Sequence, residues 1–157
     1  MAFHSPTRGV LTFEGLFQDL SDFVHQDPEA RYRLIVGTDS QLKEALVTFV
    51  TAVVIHRQGK GARYFYQKHE EPAIRSLRQR IFYETSLSLK LAGELTQRLG
   101  DSAAAELDIE IHVDIGPNGD TRHLIREIVG MVTGSGYHVR IKPDSFGASA
   151  VADRHTK

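Results

Sequence analysis

Between Tyr32 and His69 the chain passes through three β-rich segments whose connections are too short for anything but hairpins, and no other stretch restricts the fold as much. Tyr32 to Asp39 reads as a buried strand, and Ala45 to Arg57, rich in Val, Thr, Phe and Ile, as a longer one. After the turn signal Gly59-Lys60-Gly61, Ala62 to His69 makes a third. Strands joined so tightly run antiparallel, so a three-strand meander is expected.

The second half follows a different rhythm. Pro72 suits the first turn of a helix, with Glu70 and Glu71 beside it complementing the helix dipole, and the pattern runs to Leu99 before Gly100 stops it. Leu107 to Gly116 then alternates strictly. Leu107, Ile109, Ile111, Val113 and Ile115 fall on one face and Asp108, Glu110, His112 and Asp114 on the other, an unusual polar row for an internal strand. Thr121 to Gly134 reads as a helix and His138 to Lys142 as a fifth strand. Phe146 onward is a small-residue helix entered through Pro143-Asp144-Ser145. A helix crossing between two strands implies a parallel, right-handed unit. The fold class expected is therefore α/β, a five-stranded mixed sheet flanked by helices. An extra N-terminal helix, Phe13 to His25, carries Phe13, Leu16, Phe17, Leu20, Phe23 and Val24 at three- and four-residue spacing and ends before Pro28. A chain of 157 residues suits one domain, with 1–29 as a helical extension and 31–157 as the core.

Composition narrows the chemistry. With 41% hydrophobic and 25% charged residues the chain is neither disordered nor fibrous. The absence of Cys removes thiol nucleophiles, zinc knuckles and iron–sulfur clusters, so any metal sits on carboxylates or histidines. The longest apolar run, Leu46 to Ile55, is interrupted by Thr48 and Thr51 and is too short to span a bilayer. No signal-like start is visible, and a cytoplasmic protein without membrane partners is expected. The net charge of −1 hides a polarised chain. Arg57 to Arg80 holds seven basic and two acidic residues, +5, against −6 elsewhere. Tyr64, Phe65 and Tyr66 lie within that segment, a mixture that suits a phosphate-tracking surface or, equally, a solvated face with inward aromatics.

Carboxylates fall where a core would not want them. Asp39 closes the apolar run Leu34-Ile35-Val36-Gly37-Thr38, and Asp114 closes the fourth strand ahead of Gly116-Pro117-Asn118-Gly119. If the first and fourth strands are neighbours, the two acids converge and need a cation or a proton to be tolerable. Glu84 lies inside the apolar stripe of the long helix, between Ile81 and Ser88, at a desolvation cost that a salt bridge or another charge must offset. Asp153 rides on the terminal helix, whose Gly147, Ala148, Ser149, Ala150 and Ala152 permit close packing. His112 lacks a second histidine at metal spacing, which leaves it a supporting role. Gly130, Gly134 and Gly136 do not open a helix after a strand and suit helix packing and termination instead of a dinucleotide loop.

This order and these acids resemble the ribonuclease H-like fold, in which carboxylates lie on the first strand, first helix, fourth strand and last helix. Val36-Gly37-Thr38-Asp39-Ser40-Gln41, His112-Val113-Asp114-Ile115-Gly116 and Ala152-Asp153-Arg154-His155 are similar, more specifically, to the small bacterial ribonuclease H-like family labelled YkuK. The resemblance implies two divalent cations, Mg2+ or Mn2+, held by Asp39, Glu84, Asp114 and Asp153, and hydrolysis of a phosphodiester bond in DNA or RNA. Hard cations about 3.5–4 Å apart activate water and neutralise the leaving oxygen, chemistry for which oxygen ligands suffice. Ser40, Gln41 and Asn118 are candidates to touch sugar or phosphate, and His155 to orient water or move a proton. The alternative is a noncatalytic nucleic-acid or protein adaptor of the same fold. A further one is an oligomer built through the N-terminal helix and its Phe13, Phe17 and Phe23. Metal-linked stabilisation that disappears in Asp39→Asn separates the first from the second.

Overall fold

The computed structural model describes residues 2–100 and 107–156, apart from the side chains of Phe146, Ser149, Ala150 and Asp153. Strands β1 (Phe3–Ser5) and β2 (Gly9–Leu11) precede helix α1 (Phe13–Gln26), followed by β3 (Tyr32–Lys43), β4 (Leu46–Arg57) and β5 (Ala62–Pro72). Then come α2 (Leu77–Leu99), β6 (Asp108–His112), a 310 turn at Arg122–Leu124, α3 (Ile125–Gly134), β7 (His138–Arg140) and α4 (Phe146–Thr156). The sheet has seven strands in the order β2-β1-β5-β4-β3-β6-β7. β3, β4 and β5 form the expected antiparallel meander, and β6 pairs parallel to β3 and to β7.

The expected five strands become seven because β1 and β2 form a hairpin that adds to the β5 edge, with His4 opposite Tyr66. Ser5 Oγ accepts the N–H groups of Thr7 and Arg8 in the turn, and Gly9 takes φ 74°, which suits a residue without Cβ. Strands of three residues are too short to show a period. The N-terminal segment is therefore not purely helical.

Two other boundaries move. Pro72 ends a strand instead of opening a helix. β4 and β5 stay paired as far as Leu46 and Pro72, and α2 is capped later by Ser76, whose hydroxyl accepts from the Gln79 N–H. Glu71 thus serves β5, where one carboxylate oxygen meets His69 and Tyr83 at 2.7 and 2.9 Å. β6 stops at His112, short of Asp114, while β3 continues four residues beyond Asp39.

Helices cover both faces of the sheet. On one, Leu16, Leu20, Val36, Phe65, Leu95, Ile111 and Ile128 belong to the main core, which draws on α1, α2 and α3. Phe17 and Phe23 of α1 pack into that core. On the other face Ile35, Val50 and Ala52 meet Ala148 and Ala152 of α4. Gly37 makes this approach possible: a Cβ there would lie 2.8 Å from the Ala148 Cβ and 3.1 Å from the His112 carbonyl oxygen. No helix among the described residues is long and apolar enough to cross a membrane.

Candidate functional site

β3 has β6 as its neighbour only as far as the pair Gly37–His112. Beyond it β6 no longer pairs with β3, and Asp39 lies two residues past that pair just as Asp114 lies two residues past His112. The parallel register therefore brings both acids to the same level of the sheet. Alternation turns Thr38 and Ser40 towards α2, and this anchors the helix. Thr38 Oγ1 is 2.7 Å from Ser88 Oγ and 3.0 Å from Thr51 Oγ1. One turn before Ser88 on α2 stands Glu84, and the Ser40 hydroxyl donates to its Oε2 at 2.5 Å.

Glu84 is 5% exposed, and its other oxygen, Oε1, is buried with no hydrogen-bond partner among the described residues. Burial is the main force pushing its carboxyl up to about 8. The Ser40 hydroxyl opposes the shift, Asp39 and Asp114 add to it by repulsion, and Arg80 works against it. Asp39, Glu84 and Asp114 thus share one electrostatic neighbourhood. Asp114 is half-buried and pairs with Lys142, Nζ to Oδ1 3.1 Å. Among the described residues no three acidic or imidazole side chains stand close enough to hold one ion as they are. The donor set nonetheless suits a hard cation, since a buried carboxylate oxygen without a partner sits beside two further acids.

The remaining candidates divide. Gln41, two residues beyond Asp39, has a buried Oε1 without a partner among the described residues. Asn118 is exposed in the loop after Asp114. His155 lies over β5, its ring stacked on Tyr66 at 3.8 Å and 13° and tilted against Tyr64 at 5.9 Å. Tyr66 is two strands, about 10 Å, from β3. Burial lowers the His155 pKa, helped by Lys68, Arg154 and His4. Position 153 lies on α4 next to Ala152, which packs against the sheet; its side chain is outside the described residues.

Sequence reasoning missed Lys142, Arg80 and the Thr38–Ser88 anchor. Ser88 on the apolar stripe was the only visible hint, because the other contacts join elements distant in the chain. The basic segment is largely consumed internally: Lys60 pairs with Asp27, Arg63 with Asp19 and Arg78 with Glu127. Of its aromatics Phe65 is fully buried, whereas Tyr64 and Tyr66 flank His155.

Comparison with known proteins identifies the family. The ribonuclease H-like family model matches residues 15–157. A relative from Bacillus subtilis (strain 168), called "Uncharacterized protein YkuK", is 37% identical over 166 residues, covering 99% of this chain and 96% of the relative. No solved structure gives a significant match. With the family matched over nearly the whole length and the strand order in agreement, the chain belongs to the ribonuclease H-like family, in its YkuK-type branch.

Proposed function

We propose that the protein is a divalent-metal-dependent nuclease that hydrolyses phosphodiester bonds of nucleic acid. The observation that carries this is Glu84: a carboxylate buried on a helix stripe, one oxygen held by Ser40 and the other without a partner among the described residues, beside Asp39 and Asp114. A structural glutamate so placed would be expected to pair with a cationic side chain. Here Glu84 forms no ion pair among the described residues; Arg80 acts on it without a salt bridge and two more acids stand beside it, an arrangement that favours a bound cation.

Asp39, Glu84 and Asp114 would hold Mg2+ or Mn2+, with Asp153 contributing from α4. Bound there, the metal pair would supply an activated water and neutralise the leaving oxygen. The chain's own part is positional. Ser40 fixes one oxygen of Glu84 and leaves the other free to bind, and the Thr38–Ser88 contact sets the height of α2 over β3. Lys142 compensates Asp114 in the absence of metal and lies on an exposed side chain that can swing away. Ser40, Gln41 and Asn118 flank the acids and are proposed to meet the sugar–phosphate backbone.

The test is cleavage of labelled single-stranded and duplex DNA, RNA, RNA–DNA hybrid and a four-way junction with Mg2+ or Mn2+. Cutting that requires metal and is abolished in Asp114→Asn supports the nuclease, and the preferred substrate names its class. A folded protein that binds metal and cuts none of them is a nucleic-acid or protein adaptor instead.

A further inference from the structure

The strand leading to Asp114 carries a polar row that the proposed nuclease does not use. Glu110 and His112, each 5% exposed, face the α4 side of the sheet and border a cavity of about 390 Å3. Ile35 and Val54 supply its apolar lining, beside Arg33, His56 and Arg140. Arg33 Nε lies 3.1 Å from one Glu110 oxygen, and Arg140 Nε 3.7 Å from the other. Both contacts are ion pairs without a hydrogen bond. Arg33 Nε is buried with no aligned acceptor, and 3.7 Å exceeds hydrogen-bonding distance. Both guanidiniums are thus ion-paired with Glu110, and at 38% and 50% exposure their side chains keep further N–H groups towards the cavity.

His112 points Nε2 at Glu110, 3.1 Å away. An imidazole donating its N–H there keeps a lone pair on Nδ1. That atom is buried, without a partner among the described residues, and faces Gly147 in the first turn of α4. Buried polar atoms without a partner, as Arg33 Nε and His112 Nδ1 are among the described residues, cost stability.

We propose that this cavity binds a small phosphomonoester with a flat, partly apolar body, of the class of a nucleoside monophosphate. Two guanidinium forks, with the start of α4 beside them, suit the phosphate. Ile35 and Val54 receive the flat ring. A few hundred cubic ångströms suit a ligand of that size. Asp144 lies at the exposed rim. The site is separate from the carboxylates. Ala148 sits on Gly37 and Gly147 on Ile35, so the first turn of α4 stands between the cavity and Asp39. It therefore does not depend on the proposed nuclease.

Isothermal titration of the purified protein with AMP, GMP, CMP and UMP, and with adenosine and inorganic phosphate as the separate parts, tests this. Saturable binding of at least one nucleotide is expected, with adenosine and phosphate each weaker by about tenfold or more. Arg140→Gln should weaken it about tenfold. Val54→Trp, which fills the apolar part of the cavity, should abolish it with the circular dichroism unchanged. Asp114→Asn should bind the nucleotide as the wild type does. Absence of saturable binding to all these nucleotides overturns the proposal, as does phosphate binding as tightly as a nucleotide. Undiminished binding by Val54→Trp, or loss of binding in Asp114→Asn, overturns it equally.

Discussion

Glu84 and Glu110 are equally buried, 5% exposed each, yet they sit in opposite company. Glu110 faces Arg33, Arg140 and His112, so its charge is compensated within the chain. Glu84 has a serine hydroxyl on one oxygen, nothing on the other among the described residues, and Asp39 and Asp114 nearby, with Arg80 supplying opposite charge. Burial alone says little about a carboxylate's task, because its cost depends on what replaces the lost water. A compensated acid belongs to the architecture and orients its neighbours. An uncompensated one is stable only when protonated or when something positive arrives.

The same substitution at the two positions should act with opposite sign. Glu84 carries a carboxyl raised from 4.5 to about 8, so between those values the folded chain holds a proton that the unfolded chain has released. The stability it contributes is complete below pH 4.5 and is lost as pH rises through about 8. The slope approaches about 1.4 kcal/mol per pH unit. Glu84→Gln removes this slope, so denaturant unfolding should show the variant close to wild type near pH 5 and several kcal/mol more stable at about pH 9. Saturating Mg2+ should narrow the gap by stabilising the wild type alone. A gap that does not grow with pH would break the contrast.

Glu110→Gln keeps the shape but removes the charge between two arginines whose side chains are 38% and 50% exposed. A loss of about 1–3 kcal/mol near neutral pH is expected, below the value for a fully buried pair because the arginines reach water. Stabilisation here would show that Glu110, too, is uncompensated.

Smaller effects sharpen the boundary between the regions. Gly37→Ala drives a methyl group into Ala148 and the His112 carbonyl, and should lower stability by about 1–2 kcal/mol while loosening α4 in near-ultraviolet circular dichroism. Lys142→Ala should cost less than about 0.5 kcal/mol, since the Lys142–Asp114 pair is exposed. The same variant should bind Mn2+ more tightly in a calorimetric titration, because a competing cation is gone. Unchanged affinity would place Asp114 outside the metal set.

Much of the scaffold was legible in the chain. The meander announces itself by β-rich runs and short turns, α2 by its apolar stripe, and the β6–α3–β7 unit by its change of period. The β1–β2 hairpin was not, since three-residue strands carry too little pattern. The start of α2 was misplaced because Pro72 suits a helix's first turn as well as a strand end, and the pairing of Leu46 with Pro72 decides between them. Among the candidate residues, the placement of Glu84 on a buried stripe followed from helical geometry, whereas its hydroxyl partner Ser40 did not. His155 was placed by its nearness in sequence to Asp153, yet the structure seats it on Tyr66.

By itself the sequence determined the order of elements, the faces they bury and which acids stand at odds with their surroundings, because these follow from periods of two and 3.6 along a local backbone. Only the tertiary structure decided that Asp39 and Asp114 stand level, that Glu84 Oε1 is left without a partner among the described residues, and that Arg33 and Arg140 close on Glu110. Those outcomes depend on the register Gly37–His112 and on how closely α2 and α4 approach the sheet. Register and approach distance are set by packing between segments far apart in the chain, for which no local pattern exists.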